Sequence, residues 1–229
     1  MRTNAIAVSV ICAASTAALA ATEDRDVAPF DSIHVATGIR AAVSIGPRSP
    51  VHIEAAQDVL PLVETRVDGG TLHVGFKPHT RLFHSNGEVT VSVQTPELHA
   101  VAASSGAMVK AALTKSDQSA LAASSGGEIR VRGVDARKLV AKASGGGVLQ
   151  VAGRAETIEL SVSGGAHFDG PQLEARDVDV EGSGGAQAEL RATGNVRGSL
   201  SGGSELHVRG GAHTSVATSG GSEVSVEDR

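Results

Sequence analysis

A four-residue phrase returns seven times in the second half of the chain: Ser, then Ser or Gly, then Gly, then a small residue. It reads Ser104-Ser105-Gly106-Ala107, Ser124-Ser125-Gly126-Gly127, Ser144-Gly145-Gly146-Gly147 and Ser163-Gly164-Gly165-Ala166. It continues as Ser183-Gly184-Gly185-Ala186, Ser201-Gly202-Gly203-Ser204 and Ser219-Gly220-Gly221-Ser222. The third-position Gly recurs at spacings of 20, 20, 19, 20, 18 and 18 residues. A repeat this short cannot bury a core alone, so each must stack on the next as one coil of a solenoid.

The flanking residues decide the kind of coil. Three and five places after the third-position Gly lie Val109 and Ala111, Ile129 and Val131, Leu149 and Val151, Phe168 and Gly170. The columns continue with Ala188 and Leu190, Leu206 and Val208, Val224 and Val226. Before the Gly stand Val101 and Ala103, Leu121 and Ala123, Ala141 and Ala143, Leu160 and Val162, Val180 and Gly182. The positions between are mostly polar or small, as in Glu128, Arg130 and Arg132. Period-two alternation on both sides of a Gly corner means strand, turn, strand. The fold expected is all-β: a parallel β-helix of about seven coils around a narrow core rich in Ala and Val.

At the corners, Gly permits positive φ and lets coils approach at the strand spacing of roughly 4.8 Å. The serines form a column whose hydroxyls are expected to pass hydrogen bonds from coil to coil. The structural residues so defined are Ser104, Gly106, Ser124, Gly126, Ser144, Gly146, Ser163, Gly165, Ser183, Gly185, Ser201, Gly203, Ser219 and Gly221. A Gly-x-Ser-x-Gly nucleophile elbow is absent, and seven equivalent serines cannot each own a base. No Lys-Ser/Thr follows a Gly run, which excludes a phosphate loop. Calcium-binding nonapeptides fail on period and on the missing Asp column.

Residues 1–20 read as a secretory signal, with Arg2 as the positive n-region, an apolar run from Ala5 to Ala14, and Ala18-Leu19-Ala20 as the cleavage site. The run is too short to span a bilayer, which needs roughly 20 residues. Cys12, the one cysteine, lies within it, so the mature chain has neither disulfide nor thiol chemistry. Without Arg2 the chain carries 19 basic and 25 acidic residues, a net charge of −6. With no basic stripe, no Trp and no Tyr, nucleic-acid binding is not expected. Nor is a membrane span or a cofactor.

Residues 21–29 are polar and read as a flexible terminus. Residues 30–96 alternate through Ile33 and Val35, Val43 and Ile45, Val51 and Ile53, with a hairpin at Asp68-Gly69-Gly70 and a strand through Val89, Val91 and Val93. This β region is expected to close one end of the coils, which fill 97–229 and continue it as one domain. Two places could bind a ligand. The irregular segment after Phe76 carries His79, Arg81 and His84, suited to an anion or a metal, though zinc needs three or four ligands. One outward column reads Lys110, Arg130, Gln150, Asp169, Glu189, His207, Ser225, and stacking would set Asp169 beside Glu189. Such a pair can share a proton or hold a cation; equally, it is ordinary surface charge on adjacent coils.

The segments Phe30-x-x-Ile33-x-Val35, Val51-His52-Ile53-Glu54, Leu60…Val63-Glu64-Thr65-x-Val67…Gly70-x-Leu72 and Val89-x-Val91-x-Val93, followed by the Ser-Gly phrases, resemble a known family. It is the auto-transporter adhesin head domain, or GIN domain, of bacterial exported proteins, and the resemblance runs from about Phe30 to Val226. It implies a β-solenoid outside the cytoplasm and no agreed catalytic residues. Three residues follow Val226, so no membrane barrel is expected from this stretch of chain.

The expected function is a non-enzymatic envelope or cell-surface module, adhesin-like or structural, located in the periplasm, on the outer surface or in the medium. Its partner would be an envelope or cell-surface protein or glycan. The alternative is a polysaccharide lyase or hydrolase on the same scaffold, an analogy from fold alone. Export is directly testable: the mature chain should begin at Ala21, and mass spectrometry on protein from its native host should find no intact Met1.

Overall fold

The structure is a computed structural model and describes residues 20–78, 80 and 88–227. The expected leader, apart from Ala20, and the candidates His79, Arg81 and His84 lie outside the described residues. Eighteen strands form one continuous sheet wound into a solenoid. The first seven are β1 (Ala20–Arg25), β2 (Ser32–Ala36), β3 (Arg40–Ile45), β4 (Val51–Ala56), β5 (Val63–Asp68), β6 (Thr71–Phe76) and β7 (Thr90–Thr95). Then come β8 (Ala100–Ser104), β9 (Met108–Ala112), β10 (Ser116–Ser124), β11 (Glu128–Ser144), β12 (Val148–Ser163) and β13 (His167–Ser183). The last are β14 (Gln187–Ala192), β15 (Asn195–Ser201), β16 (Glu205–Arg209), β17 (His213–Thr218) and β18 (Glu223–Glu227).

From β8 onward each coil has two faces joined at a Ser-Gly corner. The strand entering the corner lies on the first face and the strand leaving it on the second. β11, β12 and β13 run on through the bend at the far end and serve both faces. The parallel β-helix read from the repeat is thus the fold, with six turns between its seven Ser-Gly corners.

Every Ser-Gly corner puts two successive residues at positive φ: Ser105 at 52° and Gly106 at 76°, Gly164 at 63° and Gly165 at 70°. The amide after them closes on the residue before, as in Ala107 N to Ser104 O at 3.1 Å and Gly147 N to Ser144 O at 3.0 Å. This is the backbone pattern of a type I′ turn. Gly106, Gly126, Gly146, Gly165 and Gly185 then each donate an amide to a carbonyl of the next coil's corner, at 2.9–3.1 Å. The coil-to-coil coupling is therefore a backbone ladder, and not the hydroxyl ladder expected of the serines. Those side chains face outward to water, and Ser104 Oγ meets His34 Nε2 instead, at 3.1 Å.

Inward residues stack column upon column. Val109, Ile129, Leu149, Phe168, Ala188 and Leu206 succeed one another in register and are all buried. Volume is balanced between neighbours, as close packing requires. A Cβ on Gly170 would stand 2.7 Å from the Phe168 ring, and one on Gly182 would stand 2.4 Å from Leu200.

The region 30–96 does more than cap. β2 and β3 form a coil with their own corner at Thr37-Gly38, where Thr37 N bonds Ser104 O at 3.2 Å and Gly38 N bonds Ser105 O at 3.0 Å. The chain then detours through β4 and β5. Its next coil, β6 and β7, is laid on the outer side of β2 and β3, before β8 and β9 stack on the inner side. The first coil in sequence is the second in space. Closure falls to β5, antiparallel to β6, to β4, antiparallel to β7, and to β1, antiparallel to β4.

The terminus read as flexible is in fact a paired strand. β1 aligns Ala20 through Arg25 with Ala56 through Val51. Arg25 anchors it, donating to Val63 O at 2.7 Å and Leu60 O at 3.2 Å. Glu23 bonds the same guanidinium, which lowers its pKa. Polar, charged residues suit a strand that ends a sheet, because they discourage further pairing.

The period shortens from 20 to 18 residues where two residues drop out of the far bend: Gly170 and Val178 align with Leu190 and Val196. Asp177 fastens the tighter bend, accepting from Asn195 N at 3.1 Å and Asn195 Nδ2 at 2.9 Å, with Arg176 Nε at 2.8 Å. Those bonds from Asn195 and Arg176 pull its pKa from 3.8 to about 2. The folded state therefore binds this proton less readily than the unfolded chain. Its contribution is full above about pH 4 and is lost as the pH falls toward 2. Asp177→Asn should flatten the loss of stability over that window in denaturant melts.

Two kinds of glycine separate by mutation. A Cβ on Gly165 meets nothing within 4 Å, so Gly165→Ala should cost about 1–2 kcal/mol of backbone strain and no clash with the next coil. Gly198 has φ of 143°, and a Cβ there would stand 1.8 Å from Val180 O on the adjoining strand. Gly198→Ala should cost about 3 kcal/mol or more, because the backbones must part. Urea melts showing Gly198→Ala as the milder change would contradict this packing.

Candidate functional site

Because the core takes alternate residues, the rest form straight outward columns, one side chain per coil. On the second face Lys110, Arg130, Gln150, Asp169, Glu189 and His207 occupy equivalent positions on β9, β11, β12, β13, β14 and β16. Asp169 and Glu189 are direct register partners, so the two carboxylates do stand side by side.

Their surroundings are ionic. Arg209 Nη1 holds Glu189 Oε1 at 2.9 Å, and the same guanidinium reaches Glu227 Oε2 at 3.3 Å through Nε. Gln187 Nε2 donates to Glu205 Oε2 at 3.3 Å, and His207 Nδ1 pairs with Ser225 Oγ. The depression between these side chains is shallow, about 190 Å³. Small-molecule sites usually enclose about 300–1,000 Å³. Asp169 and Glu189 form a surface pair beside an open depression, with Arg209 bound to Glu189.

A second open groove, about 770 Å³, lies toward the N-terminal half of the same face and includes Lys110, Arg130, Arg132, His52, Ser92 and Gln94. It is cationic where the other is anionic. Among the described residues no Phe ring stands outward on either: Phe168 and Phe30 are buried, and Phe76 packs against the core. Among the described residues no group of three or more His, Cys, Asp or Glu is placed to hold a metal. Nor is any helix among them long and apolar enough to cross a membrane.

The first face carries a feature that the sequence did not reveal. His34 on β2 and His73 on β6 are register partners with their rings edge to face, centroids 5.6 Å apart. Partial burial, and then the neighbouring imidazole, lower the His34 pKa, so the neutral ring is favoured. The triplets Ile33-His34-Val35 and Leu72-His73-Val74 share an apolar-His-apolar pattern. Only the out-of-order stacking of β6 on β2 brings them together.

Fold and surface together define a parallel β-solenoid whose chemistry lies on flat outer faces with open grooves. The chain belongs to the family described as "Putative auto-transporter adhesin, head GIN domain", which matches residues 29–212. Solved structures share the fold at low identity. A "putative adhesin" from Bacteroides fragilis is 15% identical with a TM-score of 0.81, covering 92% of this chain and 97% of its own. A "putative lipid binding protein" from Parabacteroides distasonis is 15% identical with a TM-score of 0.70, covering 92% and 97%. A "putative adhesin" from Parabacteroides merdae is 18% identical with a TM-score of 0.64, covering 92% and 96%. No curated protein matches the chain.

Proposed function

We propose that the protein is an exported envelope or cell-surface module that works by binding, without turnover. The observation that carries this reading is the state of its best carboxylate pair. Asp169 and Glu189 stand over a shallow depression, and Arg209 neutralises Glu189. The family's adhesin description agrees with such a role. The partner in this reading is an envelope protein or glycan that lies along several coils at once. Without outward aromatic rings to stack a sugar, a protein surface suits the described faces at least as well as a saccharide.

Affinity on such a surface is spread over many shallow contacts with a few dominant anchors. The test is to incubate the mature protein with envelope polysaccharides and assay for new reducing ends or unsaturated products. No product is expected. Product formed by the wild type and lost in the Asp169→Asn, Glu189→Gln double variant would establish the polysaccharide-enzyme alternative instead.

A further inference from the structure

The outward columns of the second face are charged in an antisymmetric order about β12. One column runs Lys110, Arg130, Gln150, Asp169, Glu189: two cations, a neutral amide, two anions. The column beside it runs Arg40, Met108, Glu128, Val148, His167, Gln187, Glu205. Reversed end to end about Val148, it sets Arg40 against Glu205, Met108 against Gln187 and Glu128 against His167. Each column is thus the complement of its own reversal.

We propose that the second face is a self-complementary docking surface on which a second copy of this chain lies antiparallel, related by a two-fold axis that runs along the N-terminal half of β12. Such an axis reverses the order of coils but keeps each column opposite itself. Lys110 then faces the second copy's Glu189, Arg130 faces its Asp169, and Gln150 and Val148 meet their own copies at the centre. Beyond these two columns the register shifts in β13, where Ala152 aligns with Gln172 and Arg191 with Glu174, so the complementarity rests on the two columns alone. The other face-to-face arrangement, with the two solenoids parallel, fails on the central column. There Lys110, Arg130, Asp169 and Glu189 would each face an identical charge, and repulsion of that kind selects against a wrong partner geometry.

Of the four charged groups, Glu189 alone is already paired across coils, to Arg209 at 2.9 Å through Oε1, and meets the second copy's Lys110 as part of that pair. Among the described residues neither Lys110 nor Asp169 has an ion-pair partner within the chain. Arg130 pairs only with Glu128 on its own strand. Small or partly exposed apolar residues (Met108, Ala112, Val148 and Ala152) lie between the charges, where the faces can approach. From β3 to β16 is seven strands, about 29 Å at strand spacing, and the columns span about 16 Å across. That is near 500 Å² on each copy, at the lower limit for a specific interface. The dimer is therefore weak and strongly dependent on ionic strength, since its pairs sit in solvent.

Charge reversal tests this by sedimentation velocity of the full mature chain in low-salt buffer. The wild type should sediment increasingly as a dimer up to protein concentrations of about 1 mM, and as a monomer at about 0.5 M salt. Lys110→Glu with Arg130→Glu makes the central column wholly acidic, and Asp169→Lys with Glu189→Lys makes it wholly basic. Each double variant should be monomeric at low salt, whereas an equimolar mixture should form a heterodimer at least as tight as the wild-type dimer. That rescue also proves both variants folded. A wild type that stays monomeric at low salt overturns the proposal, as does a dimer that survives either reversal or a mixture that fails to associate.

Discussion

The two-residue corner at positive φ is the constraint on which everything else depends. A strand can turn through that angle with an ordinary side chain only at a cost of about 1–3 kcal/mol per residue. The chain therefore places Gly there coil after coil, and its freed amides point along the solenoid axis to the next corner. Once corners stack, register is fixed. A slip by one residue would turn every buried side chain outward. Core columns, outward columns and the spacing of surface charges then follow from the position of one turn.

The second half of the molecule was legible because that turn repeats with its sequence almost unchanged. Constant offsets from Gly165 and Gly185 were enough to put Asp169 beside Glu189, and the structure aligns them. Thr37-Gly38 builds the same turn without Ser, and a β-branched residue at φ of 60° is a rare choice there, so that corner left no recognisable phrase. Stacking of β6 on the far side of β2 is a long-range choice with no local signal, and with it the His34–His73 pair stayed hidden. β1 misled for a different reason. Its polar composition, typical of a loose terminus, is also what an edge strand needs.

The corner explains as well why the serines do not bind one another. A hydroxyl ladder and an amide ladder would both satisfy stacked corners, but only the amides are held by the turn in the direction of the next coil. The side chains are left facing water, where their hydrogen bonds exchange at little net gain. The recurring Ser thus fits the turn's exposed approach, and coupling between coils falls to the backbone.

A surface built this way differs from an enzyme cleft in how it gathers chemistry. A cleft draws residues from distant loops to one point, whereas the solenoid offers each coil one position per column about 4.8 Å from the last. Single outward changes leave the core untouched, so surface chemistry can vary along the axis without disturbing the fold. What distinguishes one end of a face from the other is then the order of charges: Lys110 and Arg130 early, Asp169 and Glu189 late. An ordered line of this kind would distinguish the two directions of a charged partner laid along it. Its contacts are individually weak because they are solvated, so discrimination comes from the number of coils in register, and a partner displaced by one coil loses several pairs together.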